Sequence, residues 1–427
     1  MKRRNLIALA GAVLLLGTSC SSSDETTTDL ADGPAAGSGS TTAAPDGQDG
    51  DGHGAVEGAQ EVAEPQLHLV SVDRSGKAAL LDLLSGDTTD VGTVPGPSAL
   101  ASDGRYALAT VDGGVAVIDS GVWTWNHGDH FHYYRSAPEV VGTVPGRGEA
   151  TVSTGLLSTA GGTGIFFPRT GEAVLLDNSA LSDGELTESF RTKTTPHDGL
   201  VAPFAGGAVV TVPDASGSVT HVELVDGDGE PVAGTRTRCA DARGDITTTV
   251  GLVIGCADGA LLWTESEDEH DVERIPYPAD AAAPPATAFA ARKSRPTVAA
   301  LAGPTGFWLL DTRERSWRLH DAGVRLRHVA AVDDADGHVV ALDAAGRVRV
   351  YAADTGKQLG ATRPLVRTGP RAGGARGEVT LVVDQERAYV NAPAEGMVHE
   401  IDYADGARLA RELPTATEPA FFTETGR

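Results

Sequence analysis

From about residue 66 the chain alternates short apolar runs with glycine-bearing turns. The runs are strand-length, and few show the three-to-four-residue spacing of a helix. Pro97 to Ser102 is followed by Tyr106 to Thr110 and by Gly114 to Asp119. Gly148 to Val152 is followed by Gly164 to Phe167 and Ala173 to Asp177. Each unit reads as a short small-residue strand, an apolar strand, a Gly turn and an apolar strand often closing on Asp. Further units begin near His197, Asp245, Thr287, His328, Glu378 and Glu418. Their spacing of about 40 to 50 residues is the period of a four-stranded propeller blade. The pattern predicts an all-β propeller of about eight blades, with seven as the other count. Glu418 to Glu424 has no partner strands after it, and Leu67 to Val72 and Ala78 to Asp82 have no strand before them. Pairing the N- and C-terminal strands would close the ring.

The first 64 residues read differently. Met1 to Arg4 is a basic start, Leu6 to Leu16 an apolar run too short to span a bilayer, and Gly17-Thr18-Ser19-Cys20 a small-residue close. This reads as a lipoprotein signal over residues 1–20, with Cys20 lipidated and the mature chain exported and anchored to the outer face of the membrane. Residues 21–64 carry almost no large apolar side chain and are expected to form a disordered acidic tether, with the propeller over 65–427. Asp49, Asp51 and His53 lie in that tether, in a spacing that fits no EF-hand loop.

Charge and cysteine narrow the classes. Asp+Glu 59 against Lys+Arg 34 gives a formal net charge of −25, which argues against nucleic acid as a partner. Beyond Cys20 only Cys239 and Cys256 remain, and in an exported chain an isolated pair reads as a disulfide. No CxxC or CxxCH motif occurs.

The densest chemistry is Trp125 to Tyr134, which holds three of the chain's 12 histidines, His127, His130 and His132. On an extended strand His130 and His132 leave one face, and the Gly128-Asp129 step can return His127 toward them. Neutral imidazoles so placed suit Zn²⁺ first, with Cu²⁺ and Ni²⁺ next. The repeat phase puts Glu149, His197, Asp198, Asp245 and His328 near the starts of channel-lining strands. The histidine segment, in the connection between the first two units, is expected to fold over that same rim.

Trp123 to Tyr134, Thr195-Pro196-His197-Asp198-Gly199, and Cys239 with Gly255-Cys256-Ala257-Asp258-Gly259 together resemble the AztD-type zinc metallochaperones. The resemblance covers about residue 66 to the end and is most specific at His127-Gly128-Asp129-His130. It implies an exported propeller that binds zinc and passes it to the substrate-binding protein of a zinc ABC importer. It also implies His127, His130, His132 and His197 as ligands. The family's His-His-Gly motif is His197-Asp198-Gly199 here, and family histidines are replaced near Arg243 and Glu149. Asp198 and Glu149 are therefore the oxygen-ligand candidates.

Two other classes compete with a monomeric, non-enzymatic chaperone. A metal-dependent, lactonase-like hydrolase would need an open coordination position and a general base, for which Asp129 or Glu149 would serve. A metal-free propeller would act only as an interaction platform.

Overall fold

The computed structural model describes residues 55–126, 130–266, 269–367 and 379–427. Cys20, the tether as far as residue 54, His127 and Asp129 lie outside these residues. Among the described residues the strands form nine antiparallel sheets, seven of them four-stranded and two three-stranded. Among the described residues helix is confined to Asn178–Ser182 and the 3-10 turn Pro393–Glu395. The sequence pattern predicted no helix beyond the signal. The short helix exists because the Asp177 side chain accepts hydrogen bonds from the amides of Ser179 and Ala180.

Eight of the sheets follow one another along the chain, and all but the sixth include a short first strand such as Ala99–Ser102, Thr151–Thr154 or Val201–Phe204. Their second and third strands, such as Tyr106–Val111 and Gly114–Asp119, are buried on both faces. This explains why they read as continuous apolar runs and not as alternating ones. Eight hydrophobic clusters lie between successive sheets. One joins the second and third sheets through Leu108, Val117, Ile165 and Val174. Another joins the eighth to the first through Tyr389, Val398, Leu69 and Phe422. The C-terminal strand Phe421–Thr425 pairs with His68–Val72, setting Thr425 opposite His68 and Phe421 opposite Val72. The architecture is all-β and consistent with a propeller.

Two departures from the sequence pattern matter. The unit predicted to start near Thr287 has no regular first strand. Ala290 only bridges Ala299, and the chain then turns through Ser294 at a φ of 65°. The second departure is at the N-terminal boundary. Gln60–Val62, assigned above to the disordered tether, is a strand. The folded region therefore starts before residue 65. The strand belongs to the ninth sheet, with Val122–Asn126 and Phe131–Arg135.

The first strands face a central cavity of ≈ 290 Å³ lined by, among others, Ser153, Asp245, Lys293, Glu424 and Arg427. Asp245 accepts a hydrogen bond from the Ser153 hydroxyl at 2.8 Å. Burial pushes its carboxyl up to about 7, against the opposing pull of that bond.

Candidate metal centre

The histidine-bearing hairpin grows out of a buried charge pair. Gly114–Asp119 ends opposite Tyr106, and Asp119 binds Arg105 through two short bonds, Nε to Oδ1 at 3.1 Å and a terminal nitrogen to Oδ2 at 2.7 Å. Asp119 also accepts the Gly121 amide at 2.8 Å, turning the chain outward. Gly121 has a φ of 71°, and a Cβ there would sit 2.5 Å from the Ser136 carbonyl oxygen. A side chain at this position would pry open the base of the hairpin.

Val122–Asn126 then pairs with Phe131–Arg135, setting Trp123 opposite Tyr134 and Trp125 opposite His132. These four side chains share one face because alternate residues do. The Arg105 guanidinium lies 3.9 Å over the Trp123 ring, Trp123 stacks on Tyr134 at 5.3 Å, and Tyr134 lies 6.3 Å from His132. His130 completes the series, its ring 4.6 Å from that of His132. On the other face Thr124 donates its hydroxyl to the Gly426 carbonyl at 2.7 Å, holding the hairpin against the C-terminal strand.

Gln60–Val62 adds to the free edge of this hairpin, with Glu61 opposite Tyr134 and Val62 opposite Tyr133. Tyr134 and His132 are two residues apart, so Glu61 lies on the same face and reaches diagonally to His132. Its Oε1 stands 2.7 Å from His132 Nδ1. A carboxylate only accepts, so Nδ1 donates, and in the neutral ring the second nitrogen then carries the lone pair. Burial and then the Glu61 charge raise the Tyr134 phenol.

The other proposed ligands lie elsewhere. The hairpin leaves its sheet beside the C-terminal end of Ala99–Ser102, since Asp119 is opposite Tyr106. Glu149 precedes the N-terminal end of Thr151–Thr154, and His197-Asp198 the N-terminal end of Val201–Phe204. They therefore sit at opposite ends of the first strands, and the shared rim expected from the repeat phase is not formed. Among the described residues no three His, Cys, Asp or Glu side chains converge as a metal site.

His197 has a structural role. It is buried, with Nδ1 2.7 Å from the Thr195 carbonyl and Nε2 2.7 Å from the Thr211 hydroxyl. Nδ1 must donate to the carbonyl, so Nε2 accepts from Thr211 and its lone pair is used. The ring rests on Phe166 at 4.6 Å, and burial lowers its pKa. Gly199 completes the arrangement, because a Cβ there would meet His197 Nε2 at 2.6 Å and Phe166 at 2.7 Å. The His197-Asp198-Gly199 motif is thus a packing motif in this structure. Asp198 is exposed and pairs with Arg243 at 3.1 Å, and Glu149 is exposed in its turn. Cys239 and Cys256 form the expected disulfide, with Cα atoms 5.1 Å apart.

Sequence reasoning missed Glu61 and Arg105. Glu61 lies in a three-residue strand too short to show periodicity. The only hint for Arg105 was a cation directly before an apolar strand.

Fold and hairpin together define an all-β, propeller-like protein that presents a histidine pair on a small added sheet. Compared with known proteins, the chain is 27% identical over 210 residues to the zinc chaperone AztD of Citrobacter koseri, a match covering 46% of this chain and 48% of the relative. It thus spans about half the length of that curated relative. The crystal structure of Citrobacter koseri AztD matches with a TM-score of 0.74 at 20% identity, covering 85% of this chain and 99% of that one. The apo structure of the same protein matches at 0.71 and 18% identity, with the same coverage. The resemblance to AztD-type zinc chaperones is therefore shown in both sequence and fold. Dihydro-heme d1 dehydrogenase NirN shares the fold more distantly, with a TM-score of 0.51 at 14% identity over 85% of this chain and 76% of that one. No family model matches the chain.

Proposed function

We propose that this protein is an extracytoplasmic zinc metallochaperone. It holds Zn²⁺ on the hairpin histidines and passes the ion to the solute-binding protein of a zinc ABC transporter. The observation that carries this reading is the His130–His132 pair, rings 4.6 Å apart, with Glu61 on His132 Nδ1. A carboxylate on one imidazole nitrogen is how proteins orient the other nitrogen toward zinc. The donor set fits the ion, because neutral imidazoles are good zinc ligands.

His127, which lies outside the described residues, is the third ligand in this proposal on the strength of its sequence spacing from His130 and His132. Three imidazoles leave one of zinc's four positions to water or to an incoming ligand, which suits release by exchange to a docked partner. His197, Asp198 and Glu149 are not part of the proposed set. The chaperone acts without bond chemistry. The scaffold is an eight-bladed propeller closed by the Phe421–Thr425 and His68–Val72 pairing, a reading supported by the hydrophobic cluster between its eighth and first sheets. The chain acts as a monomer, tethered at the membrane's outer face through lipidated Cys20.

The test is metal content and zinc competition titration of the mature protein. One Zn²⁺ bound tightly per chain is expected, and it is lost when His130→Ala and His132→Ala are combined. A folded wild-type protein that ignores added zinc would refute the reading.

A further inference from the structure

The N-terminal strand Gln60–Val62 has no counterpart in the repeating sheets. It adds only to the outer edge of the histidine hairpin, and the side chain it directs at the hairpin's ring-bearing face is Glu61. We infer that Glu61 is a positioning residue for zinc, fixing the tautomer and orientation of His132 from a segment that reads in sequence as linker. The inference rests on the zinc-chaperone reading above, but its first test does not require zinc.

The argument is geometric. His132 is held from two sides on one sheet face. Trp125 lies directly across the hairpin, with ring centroids 6.0 Å apart, and Tyr134 flanks it at 6.3 Å with nearly parallel rings. Those contacts limit where the ring can go, but they do not choose which nitrogen carries the proton. The 2.7 Å contact from Glu61 to Nδ1 makes that choice. The carboxylate can do this because backbone pairing brings Glu61 opposite Tyr134 and Val62 opposite Tyr133. His132 is largely buried, its side chain 17% exposed, while Glu61 is 57% exposed. An exposed carboxylate is weakened by solvent, so its effect belongs at the lower end of the range for residues that orient ligands.

Glu61→Ala and Glu61→Gln are compared with Glu57→Ala, an exposed glutamate of the same segment outside the strand. In the apo protein, imidazole ¹⁵N NMR should show His132 predominantly as the Nδ1–H tautomer. That population should fall in Glu61→Ala and be largely kept in Glu61→Gln, whose amide oxygen can still accept. Zinc affinity should drop about tenfold in Glu61→Ala, less in Glu61→Gln, and stay unchanged in Glu57→Ala. An unchanged tautomer in folded Glu61→Ala would overturn the inference whether or not the protein binds zinc. An equal loss of affinity in Glu61→Ala and Glu61→Gln would also overturn it, because it would mark Glu61 as a direct zinc ligand. If wild type fails to bind zinc, the functional reading falls, and the tautomer measurement alone decides the role of Glu61.

Discussion

The Arg105 guanidinium is gripped edge-on by the Asp119 carboxylate while its face covers the Trp123 ring at 3.9 Å. A single buried cation thus joins the propeller-like wall to the base of the histidine hairpin. Removing it in Arg105→Met would leave Asp119 buried without its partner, at a cost of about 3–5 kcal/mol. Lys would recover little, since it cannot both form the two-bonded pair and lie flat on an indole. Urea unfolding followed by tryptophan fluorescence measures the loss. A change under about 1 kcal/mol would show that the pair is not anchoring the hairpin.

Acid should weaken zinc binding. Protons compete with the ion for imidazole nitrogen, so affinity should fall steeply between about pH 7.5 and about pH 5.5. Competition titrations at several pH values read this directly. A flat profile would mean that carboxylates hold the ion.

Thr211 offers a separate test of His197. Thr211→Val removes the hydroxyl that satisfies His197 Nε2 and should cost about 1–3 kcal/mol of stability, with no change in zinc affinity. Calorimetry and a zinc titration of the same sample separate the two effects. A large loss of zinc affinity would return His197 to the ligand set.

Asp245 should make stability depend on pH in an unusual direction. Its folded-state carboxyl is raised to about 7 by burial, above its ordinary value of 3.8. The folded state therefore holds the proton more tightly. The resulting stabilisation is fully present below the ordinary value and is lost as pH rises through about 7. Asp245→Asn, neutral throughout, should match wild type near pH 4 and become more stable by roughly 1–3 kcal/mol at pH 8. Urea midpoints across that range decide it, and an equal offset at both ends would show that Asp245 does not titrate this way.

How far the sequence could be read depended on the reach of each interaction. Strands such as Gly114–Asp119 and His338–Asp343 were legible because residues buried on both faces must be apolar along their whole length, and turn glycines mark where they stop. The Cys239–Cys256 bond was legible because the chain offers no other pairing outside Cys20. The shared side of His130 and His132 was legible because alternation along a strand places them on one face. All of these follow from neighbours close in sequence.

Side-chain partnerships across the fold were settled only by tertiary structure. Whether a histidine binds metal depends on what occupies its nitrogens. At His197 both nitrogens are engaged by Thr195 and Thr211, which sequence periodicity does not relate to it. The rim expected to gather His197, Asp198 and Glu149 with the hairpin failed because strand direction sends the hairpin out at the opposite end, a one-strand difference in phase that local pattern does not register. Glu61 was invisible for the converse reason. Three residues of strand carry no periodic signal, and their structure exists only because a hairpin about 70 residues later offers them an edge.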